Sequence, residues 1–230
     1  YCSGLIAGKP RYSFNGVIKT RKAALDVIKD VCGMMRASLY YRNGSLKIGK
    51  NNNIREHVTM HIGTDAGGLE TLVGDNNLFM AGAHVAHDCS IGSNCVLANN
   101  VMIAGHVQIG DWAILGGLSA VHQWTRIGSH SFLGGFSALT KDLIPYGLAV
   151  GNRATLEGLN LTGLRRRNFN NEEIKKAKKA YSILFENGEN EFKDRIEKLK
   201  SENIDSSVVN ELINFVTQKG NRSYCLPEEL

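Results

Sequence analysis

A chain of 230 residues that is 43% hydrophobic can bury a sizeable core and does not have the composition of a disordered protein. Its formal net charge of +5 comes without a nucleic-acid motif and without aromatic residues interleaved among the basic ones, so the Lys and Arg concentrated in 165–200 suit an acidic partner better than a nucleic acid. No apolar run approaches the ~20 residues of a membrane span, and the first twenty residues hold no signal peptide; five cysteines (Cys2, Cys32, Cys89, Cys95, Cys225) without CxxC spacing indicate reduced thiols in a cytoplasmic protein.

Residues 1–47 read as an atypical lead segment. They show no repeat, although Ala24, Val27, Ile28 and Val31 would share one face of a helix over 20–31. A six-residue beat begins at Ile48 and continues through Ile54 and Met60. The polar, glycine-rich stretch 61–72 interrupts it and shifts its phase by one residue, which predicts an inserted loop. From Val73 the beat is regular: Phe79, Val85, Ile91, Leu97, Ile103, Ile109, Leu115, Val121, Ile127, Leu133 and Leu139 follow at sixes, and all are apolar. Aliphatic-Gly pairs at Val73-Gly74, Ile91-Gly92, Ile109-Gly110 and Ile127-Gly128 add an eighteen-residue period. This is the signature of a β-helix with three short strands per turn, a triangular prism whose coils bury their apolar faces by stacking.

The prism is expected over 48–145, ending at Pro145, which cannot donate to a strand ladder. An extended connector over 146–167 would follow, then a helical domain over 168–230. Asn170 with Glu173 makes a capping-box pattern. Ile174, Ala177, Tyr181, Leu184 and Phe185 would share one helical face, Phe192, Ile196 and Leu199 a second, and Val208, Val209, Leu212, Ile213 and Val216 a third.

Six of the seven histidines lie in 57–122, densest in Ala83-His84-Val85-Ala86-His87-Asp88-Cys89. With eighteen residues per turn, His87 would lie over Gly105 and Asp88 over His106, about 4.8 Å away. That arrangement suits a general base above a bare backbone whose N–H faces a developing oxyanion. Two other readings exist for the histidines: edge decoration or an interface, and a zinc site drawing on His84, His87, Asp88, His106 and His122. Gly116 would stack on Gly134 and Gly117 on Gly135, which makes either an outer groove for an acyl chain or tight corners. Arg165, Arg166 and Arg167 form either a phosphate site or a solvated basic turn.

The segments IREHVTMHIGT (54–64), MAGAHVAHDCSIG (80–92), LANNVMIAGHVQIGD (97–111), GGLSAVHQ (116–123), IGSHSFLGGFS (127–137), VGNRA (150–154) and GLNLTGLRRRNF (158–169) together resemble the UDP-N-acetylglucosamine acyltransferases of lipid A synthesis. The resemblance implies a mainly β protein: a left-handed parallel β-helix of hexapeptide repeats with a small α-helical C-terminal domain. It also implies transfer of an (R)-3-hydroxyacyl group from acyl carrier protein to the 3-hydroxyl of UDP-N-acetylglucosamine, in a cytoplasmic homotrimer needing no metal or cofactor. By the same resemblance His87 is the general base, Asp88 its acidic partner and Gly105 the oxyanion donor. His61, His84, His106, His122 and Gln123 match substrate-binding positions, Asn160 and Arg166 match nucleotide and phosphate contacts, and Gly135 matches the position that limits acyl length. Cys89 is expected in the wall of the prism. The resemblance stops near residue 38: Ala37-Ser38-Leu39-Tyr40-Tyr41 keeps only Leu39 and Tyr41 of the family's sugar-holding segment, and Thr162 stands where an acidic residue is usual. The expectation is a fragment of a family member with an unrelated lead sequence, the alternatives being a divergent enzyme with altered sugar recognition, a weak or inactive trimeric scaffold and a zinc hydrolase of the carbonic-anhydrase type.

Overall fold

The computed structural model describes residues 5–6, 9–10, 44–185 and 191–228. The helix expected over 20–31 and the segment 37–41 lie outside the described residues. In the unit Tyr1–Arg42, Leu5–Ile6 pairs antiparallel with Lys9–Pro10.

In the second unit the chain winds as the expected left-handed parallel β-helix with a helical tail. The first face stacks Ser45–Ile48, Glu70–Val73, Ser90–Ile91, Gln108–Ile109 and Arg126–Ile127. The second begins with Asn53–Ile54, Leu78–Phe79, Val96–Leu97, Ile114–Leu115 and Phe132–Leu133. The third stacks Thr59–Met60, His84–Val85, Met102–Ile103, Ala120–Val121 and Ala138–Leu139. The register is the one the sequence period demands: Phe79, Leu97, Leu115 and Leu133 lie directly above one another.

Each hexapeptide turns one large aliphatic or aromatic side chain inward. All twelve ladder residues from Val73 to Leu139 are no more than 5% exposed. Burying a side chain of this size stabilises the fold by roughly 1.5–3 kcal/mol. A second inward ladder runs two residues earlier and is made of small side chains, from Thr71, Asn77, Ala83, Cys89 and Cys95 to Ser131 and Ser137, all buried. It follows a sharp corner at which every sixth residue has positive φ: Asp88, Asn94, Asn100, His106, Trp112, Leu118, Trp124, His130 and Phe136 lie between 56° and 67°. Asn and Asp tolerate this conformation, and the bulkier residues there are held by the stack. Cys89 lies in the prism wall as expected, and burial pushes its thiol up to about 11.

Two boundaries differ from the sequence reading. Ile48 pairs with Val73, twenty-five residues on, against eighteen from Val73 to Ile91, so an insertion is present. Its end, however, is strand: Glu70–Val73 pairs with Ser45–Ile48, leaving a loop over 61–69 that contains the short 3₁₀ turn Asp65–Gly67. Residues 146–167 are likewise not an extended connector. Phe132–Leu133 offers an unpaired edge after Pro145, and Gly147–Val150 fills it in parallel; Thr155–Leu159 then returns antiparallel, closing the second face.

Helix α1, Leu161–Arg166, follows, with the Asn160 side chain capping its N-terminus at Gly163. Helices α2 (Asn171–Phe185), α3 (Phe192–Ser201) and α4 (Ser207–Thr217) form the tail. The Asn170 carboxamide oxygen accepts from the Glu173 N–H at 2.8 Å, the cap the sequence indicates. The tail is fastened to the prism by Arg126, whose guanidinium donates to Asp142 at 2.7 Å and lies 4.5 Å over the Phe215 ring. The last described residues return to the last coil, where the Asp142 N–H donates to the Ser223 carbonyl and the Cys225 N–H to the Asp142 carbonyl.

Candidate active site

The corner between the third and first faces carries two adjacent columns. One is His87, Gly105 and Gln123; the other is Asp88, His106 and Trp124. The His106 N–H donates to the His87 carbonyl at 3.0 Å, and the Trp124 N–H to the Gly105 carbonyl at 3.1 Å, which locks the columns in register. The stacking expected from the eighteen-residue period is thus present. A Cβ on Gly105 would lie 2.6 Å from His87 Cε1 and 2.9 Å from its Nε2, so only glycine leaves the imidazole its place. Gly105 is buried, and among the described residues its N–H has no acceptor.

His87 Nδ1 lies 2.7 Å from Asp88 Oδ2. A carboxylate only accepts, so Nδ1 carries the proton and Nε2 presents its lone pair. The Asp88 side chain is fully buried. Burial alone would raise its carboxyl, but hydrogen bonds from the Thr64 hydroxyl and N–H, then His87 and the neighbouring His106, outweigh that and hold it below the usual range. Thr64 belongs to the inserted loop; its N–H and hydroxyl donate to the two Asp88 oxygens at 2.7 and 2.6 Å. The Asp88 N–H donates to the buried Thr71 hydroxyl at 2.8 Å, which steadies the positive-φ corner. His106 Nε2 is 3.8 Å from Asp88 Oδ2, and its ring stacks flat on Trp124 with centroids 3.8 Å apart.

The remaining candidate residues are distributed over the prism. His61 and His84 meet edge to face at 4.8 Å on the third face, and the Thr59 hydroxyl lies 2.8 Å from His84 Nδ1. Burial, then the charge of His61, lowers the His84 pKa. His122 and Gln123 lie at the same corner as His87, one coil beyond Gly105. Arg222 reaches them from the C-terminal stretch: it donates through Nε to the Gln123 carbonyl at 3.0 Å and through Nη2 to His122 Nδ1 at 2.7 Å. Gly135 stacks on Gly117 at the corner between the second and third faces, where a Cβ would lie 3.2 Å from the Gly117 carbonyl oxygen; Gly116 and Gly134 stack likewise. Phe136 beside them is 77% exposed.

Asn160 and Arg166 lie on the second face. With Ile114, Phe132, Leu148 and Thr162 they line a cleft of about 370 Å³. Asn160 is buried, and its amide donates to the His130 carbonyl at 2.9 Å while its oxygen caps α1. Arg165 and Arg166 are exposed, whereas Arg167 donates to the Trp112 carbonyl at 2.7 Å and lies over the Trp112 ring. Arg166 and Arg167 both border the cleft, Arg167 tied to Trp112, while Arg165 is not among the residues that line it.

Sequence reasoning missed Thr64, Thr71 and Arg222. Thr64 and Thr71 lie inside the predicted inserted loop, where only His61 is singled out by the sequence, and nothing in the residues around Arg222 signals its partner. Among the described residues, His87, Asp88 and His106 bring possible metal-ligating atoms within 4.8 Å of one another, but His84 and His122 are not part of that group. Both Asp88 oxygens already accept hydrogen bonds from Thr64, and Oδ2 also faces His87, so the carboxylate is arranged as a partner for the imidazole. No helix among the described residues is long and apolar enough to cross a membrane.

Known proteins resemble this chain in sequence and in fold. The family model described as UDP N-acetylglucosamine O-acyltransferase, domain 2, matches residues 142–225, and that of the bacterial transferase hexapeptide matches 70–105. Proteins named acyl-[acyl-carrier-protein]–UDP-N-acetylglucosamine O-acyltransferase from Sinorhizobium medicae, Nautilia profundicola and Bartonella henselae are 46%, 48% and 49% identical over 80%, 74% and 80% of this chain. The chain spans about two thirds of their lengths, 68%, 65% and 67% respectively. The UDP-N-acetylglucosamine acyltransferase structures from Campylobacter jejuni and Francisella novicida superpose with TM-scores of 0.76 and 0.77 at 38% and 36% identity, covering 83% and 82% of this chain and 73% and 69% of theirs.

Proposed function

The chain belongs to the UDP-N-acetylglucosamine O-acyltransferase family, and on that premise we propose that it moves an (R)-3-hydroxyacyl group from acyl carrier protein to the 3-hydroxyl of UDP-N-acetylglucosamine, the first step of lipid A biosynthesis. The observation that carries this reading is the His87–Asp88 pair over Gly105: a buried carboxylate 2.7 Å from Nδ1, and an Nε2 lone pair against a backbone with no side chain. His87 Nε2 takes the proton of the sugar hydroxyl as its oxygen attacks the thioester carbonyl. The Gly105 N–H donates to the oxyanion. As the tetrahedral intermediate collapses, the C–S bond breaks and the carrier thiolate takes the proton from His87. No acyl-enzyme forms, which accords with Cys89 being buried, its thiol raised to about 11.

The other candidate residues fit the substrates' chemistry. His61, His84, His106, His122 and Gln123 border the reacting corner and the third face, where hydrogen-bonding groups meet sugar, phosphate and acyl oxygens. The side-chain-free column Gly117/Gly135 leaves room for an acyl chain of the 3-hydroxymyristoyl kind, whereas a Cβ on Gly116 would meet the Gly135 backbone and one on Gly134 the Val150 side chain, so that column is a tight corner. Arg166 in the second-face cleft offers a fork to a phosphate, with Asn160 fixing the helix that presents it. Because that face and the His87 corner lie on different sides of one prism, we assign the complete site to the seam between subunits of a homotrimer. Exposed Lys178, Lys179 and Lys193 on α2 and α3 suit docking of the acidic carrier protein. Free, buried Cys89, Cys95 and Cys225 accord with action in the reducing cytoplasm.

The test is transfer of a labelled 3-hydroxyacyl group from acyl carrier protein to UDP-N-acetylglucosamine by this chain and by His87→Ala. Activity that the substitution abolishes supports both reaction and base. Absence of activity in the unsubstituted chain leaves a scaffold of the same fold.

A further inference from the structure

The loop inserted into the first coil lies beside the catalytic corner. Three features join it there. The Thr64 N–H and hydroxyl donate to the two Asp88 oxygens at 2.7 and 2.6 Å. A Cβ on Gly67 would fall 2.0 Å from Asp88 Cγ, so the backbone of the 3₁₀ turn rests directly on the carboxylate. The Asp88 side chain is 0% exposed.

Thr64 is therefore unlike an ordinary loop residue. An ionised carboxylate cannot donate, so the Thr64 hydroxyl must give its hydrogen to Oδ2, the oxygen that also receives His87 Nδ1–H. Two donors converge on one atom and set the angle at which Asp88 meets the imidazole. The hydroxyl does for the carboxylate what the carboxylate does for His87. Among the described residues, the titratable groups facing Asp88 are His87 and His106.

We propose that Thr64 is a positioning residue for the reaction: through its two hydrogen bonds the inserted loop orients Asp88, and Asp88 in turn fixes the tautomer and direction of His87. This rests on the assignment of His87 as base and deepens it. The 61–69 insertion is then part of the catalytic apparatus.

Thr64→Val keeps the shape and the backbone N–H but removes the hydroxyl; Thr64→Ser restores it. Losing a hydrogen bond to a charged group corresponds to a fall of about tenfold to hundredfold in kcat, with KM for the sugar nucleotide little changed. A carboxylate with one donor fewer is more basic and holds the imidazolium proton more firmly, so the acid limb of kcat/KM should move to higher pH in Thr64→Val and return in Thr64→Ser. A Thr64→Val protein with unaltered kcat and acid limb would overturn the proposal, as would a Thr64→Ser protein no better than the valine. Measuring His87→Ala alongside separates the two ideas: if that variant is active, the base assignment fails; if it is dead while Thr64→Val is normal, only the role of Thr64 fails. Independently of turnover, the nitrogen resonances of the His87 ring should report a single Nδ1–H tautomer in the unsubstituted chain and a mixed or exchange-broadened signal in Thr64→Val. Identical spectra would also overturn it.

Discussion

Replacing Gly105 by alanine probes the centre of the site with one methyl group. Gly105 is not among the positive-φ glycines, so alanine meets no backbone penalty there. Its Cβ, however, would lie 2.6 Å from His87 Cε1, 2.9 Å from Nε2 and 3.1 Å from Nδ1. Non-bonded carbons rest about 3.5–4.0 Å apart, so the ring must retreat by about 1 Å. The His87 side chain is 41% exposed and can move toward solvent, so the strain falls on the 2.7 Å contact with Asp88 and not on the core. A displacement of that size in a positioned catalytic group costs on the order of 10²-fold in rate. Losing the charge-assisted hydrogen bond alone is worth about 1.5–3 kcal/mol, or roughly tenfold to hundredfold. The two routes converge on a loss in kcat approaching a hundredfold. Initial rates of acyl transfer should show that loss while the thermal midpoint stays within a degree or two, about what a surface change produces. An alanine variant within about threefold of the unsubstituted kcat would refute the reasoning, because less than ~1 kcal/mol would then separate the two ring positions.

Two further outcomes concern stability. Ser206 caps α4 through the Val209 N–H at 3.3 Å and donates to the Glu173 carboxylate on α2, so Ser206→Ala should cost about 1–3 kcal/mol and lower the melting midpoint by roughly 2–10 °C; an unmoved midpoint would show that the tail does not depend on this joint. Asp88 is held below its ordinary pKa in the fold, so the folded state binds fewer protons than the unfolded chain as pH falls through the carboxylate range. Its contribution is full above the ordinary carboxylate pKa and fades as pH drops through the lowered one, and melts over that acid range should fall less steeply for Asp88→Asn than for the unsubstituted chain. Parallel curves would contradict the shift.

The prism was legible because its physics repeats. Ile91, Ile109 and Ile127 each face the same environment one coil apart, so a single period gives the strands, their register and the vertical neighbours of any residue. That is why His87 over Gly105 was readable without coordinates: neither residue reveals the other, but the eighteen-residue coil brings them together. The small inward ladder was less visible, since Cys89, Val107, Ser119 and Thr125 share burial and size but no hydropathy class. Where the repeat stops, so does the reading. Gly147–Val150 pairs with Phe132–Leu133 only because the second face ends in an open edge, and no local pattern in 146–159 announces a hairpin.

The half of the site that escaped the sequence has a common cause. Thr64 and Arg222 are each outside the repeat, so their positions depend on where a loop or a tail lands and not on a period. Thr64 is twenty-four residues before Asp88, an interval the eighteen-residue period does not give, and its hydrogen bonds exist because the insertion lengthens the first coil. Arg222 is one hundred residues after His122 and arrives there because Ser223 to Cys225 bond alongside Asp142. The consequence for His122 is chemical. A guanidinium only donates, so His122 Nδ1 must accept, its 3.2 Å contact with the Gln123 carbonyl carries no hydrogen, and the proton of the neutral ring lies on Nε2. His87 and His122 are thereby set in opposite tautomers: His87 by a carboxylate, as an acceptor at Nε2, and His122 by an arginine, as a donor at Nε2. A repeat that merely stacked histidines would leave both tautomers free. The proposed distinction between a base and a binding group thus draws on Asp88 within the repeat and on Arg222 outside it.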